Sequence, residues 1–145
     1  MRVIAIVQAR LGSTRLPNKV IKEIVGKPMI EILLTRLSQS KEINQIVVAT
    51  STERENDNLQ ILVESLGYEC TRGSENDVLN RFYSSAKKFG ADVVLRITGD
   101  YPLVDSEMVD TCIKEFKSLA VDYYSNTMPE TFPDGLDIEV MSFSS

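Results

Sequence analysis

The sequence contains no histidine and no tryptophan, and only two of its 145 residues are cysteines. Cys70 and Cys112 are far apart and lack the spacing of metal ligands. The absence of histidine excludes catalytic Cys/His pairs, Ser/His/Asp triads and His-ligated zinc, whereas Mg²⁺ or Mn²⁺ held by oxygen atoms remains open. No apolar run is long enough to span a membrane, and the start lacks a signal-peptide pattern. We therefore predict a cytoplasmic protein with no membrane partner.

Positive charge is scarce outside the first part of the chain. Residues 1–41 contain eight Lys/Arg and two Asp/Glu, whereas residues 42–145 contain eight Lys/Arg and 19 Asp/Glu. A nucleic-acid-binding protein would need basic residues over a wider surface. We therefore predict a small polyanionic ligand and no nucleic-acid partner, with acidic groups further along the chain available for a divalent cation.

Short β-branched runs alternate with helical patterns along nearly the whole chain. The strands are expected near residues 2–7, 45–50, 68–71, 92–97, 121–125 and 137–142. The helices are expected over residues 28–40, 53–66, 76–89 and 106–119. This order predicts one α/β domain, residues 1–145, with a mainly parallel sheet covered by helices on both faces.

Polar residues mark where the predicted helices begin. Pro28 suits the first turn of the first helix, and Ser51 or Thr52 is the expected N-cap of the second. Ser74 precedes the third helix at a spacing that approximates a capping box. The fourth helix is expected to begin at residues 105–106.

A loop of unusual composition follows the first predicted strand, with the sequence Gln-Ala-Arg-Leu-Gly-Ser-Thr-Arg-Leu-Pro-Asn-Lys at residues 8–19. Gly12 permits close approach of the backbone to an anion, and Ser13 and Thr14 supply hydroxyl donors. The loop also carries three cations suited to phosphate oxygens: Arg10, Arg15 and Lys19. The pattern predicts a triphosphate site, with a solvated basic loop as the alternative.

Ligands of open parallel sheets bind beyond the carboxyl ends of the strands. Asp100 follows a strand that is expected to be buried and is the best metal candidate, with Gly99 allowing close approach of a phosphate or ribose. The alternative for Asp100 is a turn or N-cap residue. Arg72 and Arg81 are candidates for contact with the nucleotide or sugar, although Arg81 fits a solvent-facing helix position equally well.

Two late carboxylates, Asp137 and Glu139, occupy alternate positions of a predicted strand and should point to the same side. They are candidates for binding sugar hydroxyls or a second metal ion, with a simple polar strand face as the alternative. Asp134 is expected to be a turn residue before Gly135.

Three segments carry a family resemblance: residues 8–19, Arg-Ile-Thr-Gly-Asp-Tyr-Pro-Leu-Val-Asp at 96–105, and Phe-Pro-Asp-Gly-Leu-Asp-Ile-Glu-Val at 132–140. They resemble the cytidylyltransferase family of acylneuraminate and Kdo synthetases, and in particular its spore-coat polysaccharide biosynthesis protein F branch. The resemblance implies a three-layer α/β/α Rossmann-like nucleotidyltransferase sheet. It also implies transfer from CTP, with Mg²⁺ (or Mn²⁺), to a bacterial surface sugar and release of pyrophosphate.

The resemblance implies that Arg10, Arg15 and Lys19 hold the triphosphate, that Ser13 with the loop backbone helps to read the base, and that Asp100 ligates Mg²⁺. These four charged residues form the predicted catalytic set. The predicted nucleotide-binding residues are Gln8, Ala9, Arg10, Leu11, Gly12, Ser13, Arg15, Lys19, Arg72, Thr98 and Gly99. The predicted sugar-binding residues are Arg81, Asp137 and Glu139.

The chain departs from the family pattern in length and at one position. Family members are longer, with a C-terminal part that completes the sheet, carries a further metal-binding Asp and often builds a homodimer. The resemblance thus implies a C-terminally truncated sheet, and a homodimer would depend on that part. Thr98 stands where Kdo enzymes have Gln, so the choice of sugar does not transfer from them.

Three other functions are alternatives to this one. A nucleotide-sugar-dependent glycosyltransferase would need an Asp-x-Asp pair after a central strand, where only Asp100 occurs. A truncated, non-catalytic nucleotide-binding or partner subunit would bind nucleotide without releasing pyrophosphate. A dinucleotide-dependent oxidoreductase is disfavoured because the loop lacks Gly-x-Gly-x-x-Gly.

Overall fold

The computed structural model describes residues 1–144; Ser145, the last residue of the predicted domain, lies outside the described residues. Within the described range, eight strands and four α-helices occur in this order: β1 (Val3–Gln8), β2 (Glu23–Ile24), β3 (Lys27–Pro28), α1 (Met29–Leu37), β4 (Gln45–Ser51), α2 (Asp57–Ser65), β5 (Glu69–Gly73), α3 (Val78–Lys88), β6 (Val93–Thr98), α4 (Ser106–Leu119), β7 (Tyr123–Ser125) and β8 (Glu139–Ser142).

Six of these strands form one sheet in the spatial order β5-β4-β1-β6-β8-β7. β1 lies parallel to β4 and β6, and β4 lies parallel to β5, whereas β8 is antiparallel to both β6 and β7. The mainly parallel sheet is therefore confirmed. Gln8 at the end of β1 is in register with Ala49 and Thr98, so three strands end at the same edge of the sheet.

The core lies on both faces of β1, whose first five residues are fully buried. Val3, Ala5 and Val7 share one core with apolar residues of α1, α2 and α4, whereas Ile4 and Ile6 share a second core with residues of α3. A central parallel strand is covered on both faces, and this explains the unbroken apolar run that predicted it.

The structure corrects two expectations about the segments between strands. The hairpin β2–β3 was not predicted, and its turn places Val25 and Gly26 at φ of 51° and 77°. Pro28 closes this hairpin and directly precedes α1, in place of a first-turn position within a longer helix. Two-residue strands carry too few residues for a period to be read from the sequence.

Helix starts were predicted with mixed success. The N-cap position of α2 is Asn56, after a 3₁₀ turn at Arg54–Asn56, so the prediction of Ser51 or Thr52 was wrong. The N-cap of α3 is Asp77, which accepts the Asn80 N–H at 2.9 Å. The predicted capping residue, Ser74, instead accepts the Asp77 N–H at 3.2 Å. The predicted start of α4 at 105–106 is confirmed.

Within residues 1–144, no helix has the length and apolar character that crossing a membrane requires.

Candidate active site

A cleft of ≈ 370 Å³ opens at the edge of the sheet where β1 and β6 end. The cleft is lined by segments that are distant in sequence but meet because parallel strands share a carboxyl edge. Among its lining are these predicted site residues: Gln8, Ala9, Arg10, Ser13, Arg15, Lys19, Thr98, Gly99 and Asp100. The structure thus brings the predicted cationic loop and the predicted metal ligand into one site.

The contact between Lys19 and Asp100 is the central feature of this cleft. The Lys19 ammonium group donates to Asp100 Oδ2 at 2.6 Å, with the two side chains 35% and 32% exposed. The second carboxylate oxygen, Oδ1, is buried and has no hydrogen-bond partner among the described residues. A buried acceptor without a partner is costly, so Asp100 retains the capacity to bind one further positive group.

The two arginines of the loop differ in their surroundings. Arg10 forms an ion pair with Glu75, which follows β5. Arg15 is exposed and makes no hydrogen bond or ion pair with the described residues. An anion that enters the cleft therefore finds one unpaired cation, Arg15, and two cations whose present partners are carboxylates.

Leu11 anchors the loop in the core and does not line the cleft. Its side chain is buried, and its carbonyl oxygen accepts the Ser13 and Asn18 N–H groups at 2.8 and 3.1 Å. The Leu11 N–H donates to Asn56 Oδ1 at 2.9 Å, and Asn56 Nδ2 donates to Ser51 Oγ at 2.7 Å. Asn56 is fully buried, and its two hydrogen bonds join the loop to the end of β4. Sequence reasoning missed this residue, because its position between a strand and a helix resembles that of an ordinary cap.

The substitution Asn56→Ala is expected to lower the free energy of unfolding by about 1–3 kcal/mol, because it leaves the Leu11 N–H and Ser51 hydroxyl without their buried partner. It should also weaken nucleotide binding at the predicted triphosphate site, since the loop is released from β4. Chemical denaturation and nucleotide titration measure the two effects. Asn58→Ala, a change of the same kind at an exposed neighbour, is the control and should leave both unchanged. Full stability in Asn56→Ala would contradict the anchoring role.

Two glycines that were predicted to admit a phosphate lie against other parts of the chain. A Cβ atom on Gly12 would collide with Glu55 Oε1, so this glycine faces a side chain and not the cleft. A Cβ atom on Gly99 would lie 2.6 Å from the Gln8 carbonyl oxygen and 2.8 Å from Ala9 Cβ. The Gly99 N–H donates to that same carbonyl at 2.7 Å. Gly99 thus permits the ends of β1 and β6 to meet beside Asp100.

The two glycines should respond differently to substitution by alanine. Gly99→Ala should destabilise the fold by about 1–3 kcal/mol, because the obstacle is backbone that cannot move away. Gly12→Ala should cost less, because the end of the Glu55 side chain can rotate away. Thermal unfolding of both variants measures the difference. Equal stability of the two variants would show that the strand ends are not closely packed at Gly99.

Arg72, a predicted nucleotide-binding residue, is placed outside the cleft. Its guanidinium group donates to the Ser51 and Glu53 carbonyls, to Gln60 at 2.8 Å and to Asp57 at 2.9 Å. These contacts join β5 to the segment that leads into α2. The guanidinium group therefore has four partners within the protein, which a strand-end position in the sequence does not reveal.

Arg81 is also outside the cleft, and the alternative of a solvent-facing position is wrong. Only 2% of the residue is exposed, and its Nη1 donates to the Ser74 carbonyl at 2.7 Å. Burial lowers the pKa of Arg81 below its ordinary value. Its Cγ lies 3.1 Å from the position of a Cβ atom on Gly73, so Arg81 supports the loop that carries Glu75.

Asp137 and Glu139 have different partners. β8 begins at Glu139, so Asp137 precedes the strand in which it was predicted. Glu139 forms an ion pair with Arg96 and accepts the Tyr123 hydroxyl at 2.8 Å, which makes it part of the polar strand face given as the alternative. Asp137 accepts the Tyr101 hydroxyl at 3.1 Å, near the edge where β6 ends.

Two further cavities are found, of which the larger adjoins the cleft and the smaller adjoins the larger. One of ≈ 570 Å³ shares Asp100 with the cleft, and one of ≈ 380 Å³ is lined in part by Asp137. Both cavities are lined by Asp134, which lies in the predicted turn before Gly135. Burial, the hydrogen bond to Asp137 and the nearby carboxylates raise the pKa of Tyr101 to about 12. The hydroxyl of Tyr101 therefore keeps its proton at neutral pH.

The oxygen atoms of the cleft fit a metal ion that is bound by one protein carboxylate together with oxygen atoms of a ligand. Within residues 1–144, no group of three or more Cys, Asp or Glu residues is arranged to hold a metal ion. Mg²⁺ is commonly bound by one or two carboxylates together with substrate phosphates and water. The unpartnered Oδ1 of Asp100, at the edge of a cationic cleft, meets that requirement.

A cleft with three cations beyond the strand ends of a mainly parallel sheet is typical of nucleotide-binding α/β proteins. The family model described as cytidylyltransferase matches residues 4–134. The chain belongs to the cytidylyltransferase family.

Three similar proteins illustrate the relationship. The spore coat polysaccharide biosynthesis protein SpsF of Bacillus subtilis is 37% identical over 125 residues, which cover 83% of this chain and 52% of SpsF. A cytidylyltransferase structure from Leptospira borgpetersenii superposes with a TM-score of 0.95 at 34% identity, over 99% of this chain and 61% of that one. The structure of CMP:2-keto-3-deoxy-manno-octonic acid synthetase complexed with CTP gives a TM-score of 0.76 at 25% identity, over 85% of this chain and 51% of that one.

These superpositions confirm the Rossmann-like fold and the predicted family. The chain spans about half the length of the curated relatives that it matches, for example 52% of SpsF.

Proposed function

We propose that this chain forms the nucleotide-binding and catalytic part of an enzyme that transfers the cytidylyl group of CTP to a sugar hydroxyl and releases pyrophosphate. The observation that carries the proposal is the cleft in which Arg10, Arg15 and Lys19 face Asp100. It joins the charge needed for a triphosphate to a carboxylate with an unpartnered oxygen. Family membership and the CTP complex of a similar enzyme support CTP as the nucleotide.

The three cations have distinct roles in this proposal. Arg15 lacks a partner among the described residues and is free to bind phosphate oxygens first. Arg10 then exchanges Glu75 for phosphate oxygens, to which its planar guanidinium group can present two donors. Lys19 turns from Asp100 toward the phosphates, where its charge stabilises the negative charge that develops on the leaving pyrophosphate.

Asp100 would hold Mg²⁺, or Mn²⁺, through the oxygen that now lacks a partner. Such an ion neutralises phosphate charge and makes the α-phosphorus more electrophilic. The residues of this chain contribute positioning and electrostatic stabilisation, and no covalent enzyme intermediate is required.

The acceptor sugar would occupy the ≈ 570 Å³ cavity that shares Asp100 with the cleft. A hydroxyl group placed there would lie beside the Asp100 carboxylate, and in-line attack requires it to approach the α-phosphorus on the side opposite the leaving pyrophosphate. Asp137 remains a proposed sugar-binding residue, because it lies with Asp134 around the adjoining cavity. Cytoplasmic location and a homodimer remain predictions.

The test is release of pyrophosphate from CTP in the presence of Mg²⁺ and pooled bacterial sugars, followed by ³¹P NMR. The expected result is pyrophosphate together with a new CMP-sugar phosphodiester, and much slower release from ATP, GTP and UTP. A folded chain that binds CTP but releases no pyrophosphate with any pool would show a nucleotide-binding partner and not an enzyme.

A further inference from the structure

We propose that Glu75 competes with phosphate ligands for Arg10: its carboxylate pairs with Arg10 in the empty site and turns to Arg81 when a phosphate group displaces it. This inference rests on the proposed function, in which Arg10 binds phosphate oxygens. It is carried by the ion pair between Arg10 and Glu75, and by two buried polar atoms that lack a hydrogen-bond partner among the described residues, Glu75 Oε2 and Arg81 Nε.

The ion pair engages a cation that the phosphate site needs. Arg10 lines the cleft, whereas Glu75 comes from the loop after β5, outside the lining residues. The two side chains are 51% and 23% exposed. Ion pairs with such exposure favour the paired state by at most about fivefold, so a ligand with several negative charges can displace the carboxylate. The pair therefore opposes phosphate binding without preventing it.

The carboxylate of Glu75 is only half used in this arrangement. Its Oε1 accepts from Arg10 Nη1, whereas its Oε2 is buried and makes no hydrogen bond with the described residues. A buried acceptor without a partner is costly. An arrangement that gives Oε2 a donor would therefore be favourable for Glu75 once Arg10 has left.

Arg81 offers that donor. Only 2% of the residue is exposed, and its Nη1 donates to the Ser74 carbonyl at 2.7 Å and reaches the Glu75 carbonyl at 3.5 Å. Its Nε is buried without a partner among residues 1–144. Burial lowers the pKa of Arg81, the charge of Glu75 opposes this effect and the charge of Arg10 adds to it, as expected for three neighbouring charges. A bond from Arg81 Nε to Glu75 would satisfy both unpartnered atoms.

Two arrangements of the three charged side chains follow. In the empty site Glu75 pairs with Arg10, and in the occupied site Glu75 pairs with Arg81 while Arg10 binds phosphate. The apparent affinity for a phosphate ligand is then reduced in proportion to the small fraction of molecules in which Arg10 is free. The same competition favours departure of pyrophosphate after the transfer, because Glu75 takes Arg10 back.

A purely structural role for Glu75 predicts the opposite result on substitution. If the ion pair only held Arg10 in its binding position, removal of the carboxylate would weaken phosphate binding. If Glu75 is a competitor, removal of the carboxylate strengthens it. The sign of the change therefore decides between the two roles.

Calorimetric titration with CTP and with inorganic tripolyphosphate, without added metal ion, measures this sign. Glu75→Gln should bind both ligands about three- to tenfold more tightly, since it frees Arg10 and removes a like charge near the phosphates. Arg10→Gln should abolish the gain, so that the double variant binds no more tightly than Arg10→Gln alone. The control is Glu55→Gln, which removes an exposed carboxylate that faces Gly12 in the same loop and should change affinity by less than about twofold.

A second measurement follows the proposed movement of Glu75 in the unsubstituted chain. Arginine side chains labelled with ¹⁵N give Nε–H signals whose positions respond to hydrogen bonding. Addition of tripolyphosphate should shift the Arg81 signal, because Glu75 then pairs with Arg81 Nε. The shift should be absent in Glu75→Gln, although the ligand binds there more tightly.

The outcomes separate this inference from the proposed function. Unchanged or weaker phosphate binding in Glu75→Gln would overturn the inference, as would an equal gain in the Arg10→Gln background. An Arg81 signal that does not respond to tripolyphosphate in the unsubstituted chain would overturn the transfer to Arg81. Loss of CTP binding alone, with tripolyphosphate still bound more tightly by Glu75→Gln, would overturn the proposed function and support the inference. A folded chain that bound neither ligand would overturn both.

Discussion

Asp100→Asn is expected to abolish the effect of Mg²⁺ on nucleotide binding and to lower kcat/KM for pyrophosphate release by about 10²–10³-fold. The change keeps the shape of the side chain but removes the charge that holds Lys19 and, in our proposal, the metal ion. A metal that polarises a phosphoryl group contributes several kcal/mol of transition-state stabilisation. Titration of CTP with and without Mg²⁺, followed by initial rates of pyrophosphate release, measures both effects.

Asp92→Asn is the matched control for this substitution. Asp92 precedes β6, whereas Asp100 follows it, and the Asp92 carboxylate accepts the Arg2 N–H at 2.6 Å. Its substitution should cost at most about 1 kcal/mol of stability and leave the metal dependence unchanged. A metal response in Asp100→Asn equal to that of the unsubstituted chain would remove Asp100 from the metal site.

Lys19→Ala is expected to weaken CTP binding by at least about tenfold, or 1.4 kcal/mol. The rate of pyrophosphate release should fall further, by about 10²–10³-fold, because loss of a group that stabilises developing charge costs about 2.7–4 kcal/mol. The preference for CTP over CMP should decrease as well, since the lost charge acts on the outer phosphates. Parallel titrations with CTP and CMP measure this preference.

Lys22→Ala controls for the general loss of positive charge, since Lys22 is an exposed lysine three residues after Lys19. It should leave CTP affinity within about twofold, as expected for a screened surface charge. If Lys22→Ala and Lys19→Ala had equal effects, the basic residues near the cleft would act only through their net charge. The specific role proposed for Lys19 would then be wrong.

The sequence contained enough information to predict that Asp100 faces the cationic loop, although its ion pair with Lys19, 81 residues earlier, was not predicted. The apolar runs indicated a mainly parallel sheet, and such sheets bring the residues after their strands to one edge. The composition of the loop then identified the phosphate-binding side of the site. A single acidic residue after a buried strand identified the predicted metal-binding side. Neither step required knowledge of side-chain contacts.

The partners of Arg72, Arg81 and Glu139 could not be predicted in the same way. A charged residue near a strand end has the same local pattern whether it faces a ligand or a neighbouring side chain. Glu139 is neutralised by Arg96, 43 residues earlier, and that choice depends on the register of β6 and β8. Asn56 was missed for a related reason, since its two hydrogen bonds connect segments that only the folded chain brings together.

The measurement that tests the central claim most directly is calorimetric titration of this chain with CTP, ATP, GTP and UTP, each with and without Mg²⁺. The account predicts saturable binding that favours CTP and is strengthened by Mg²⁺. A folded chain that bound none of the four, or that bound a purine nucleotide as tightly as CTP, would contradict it.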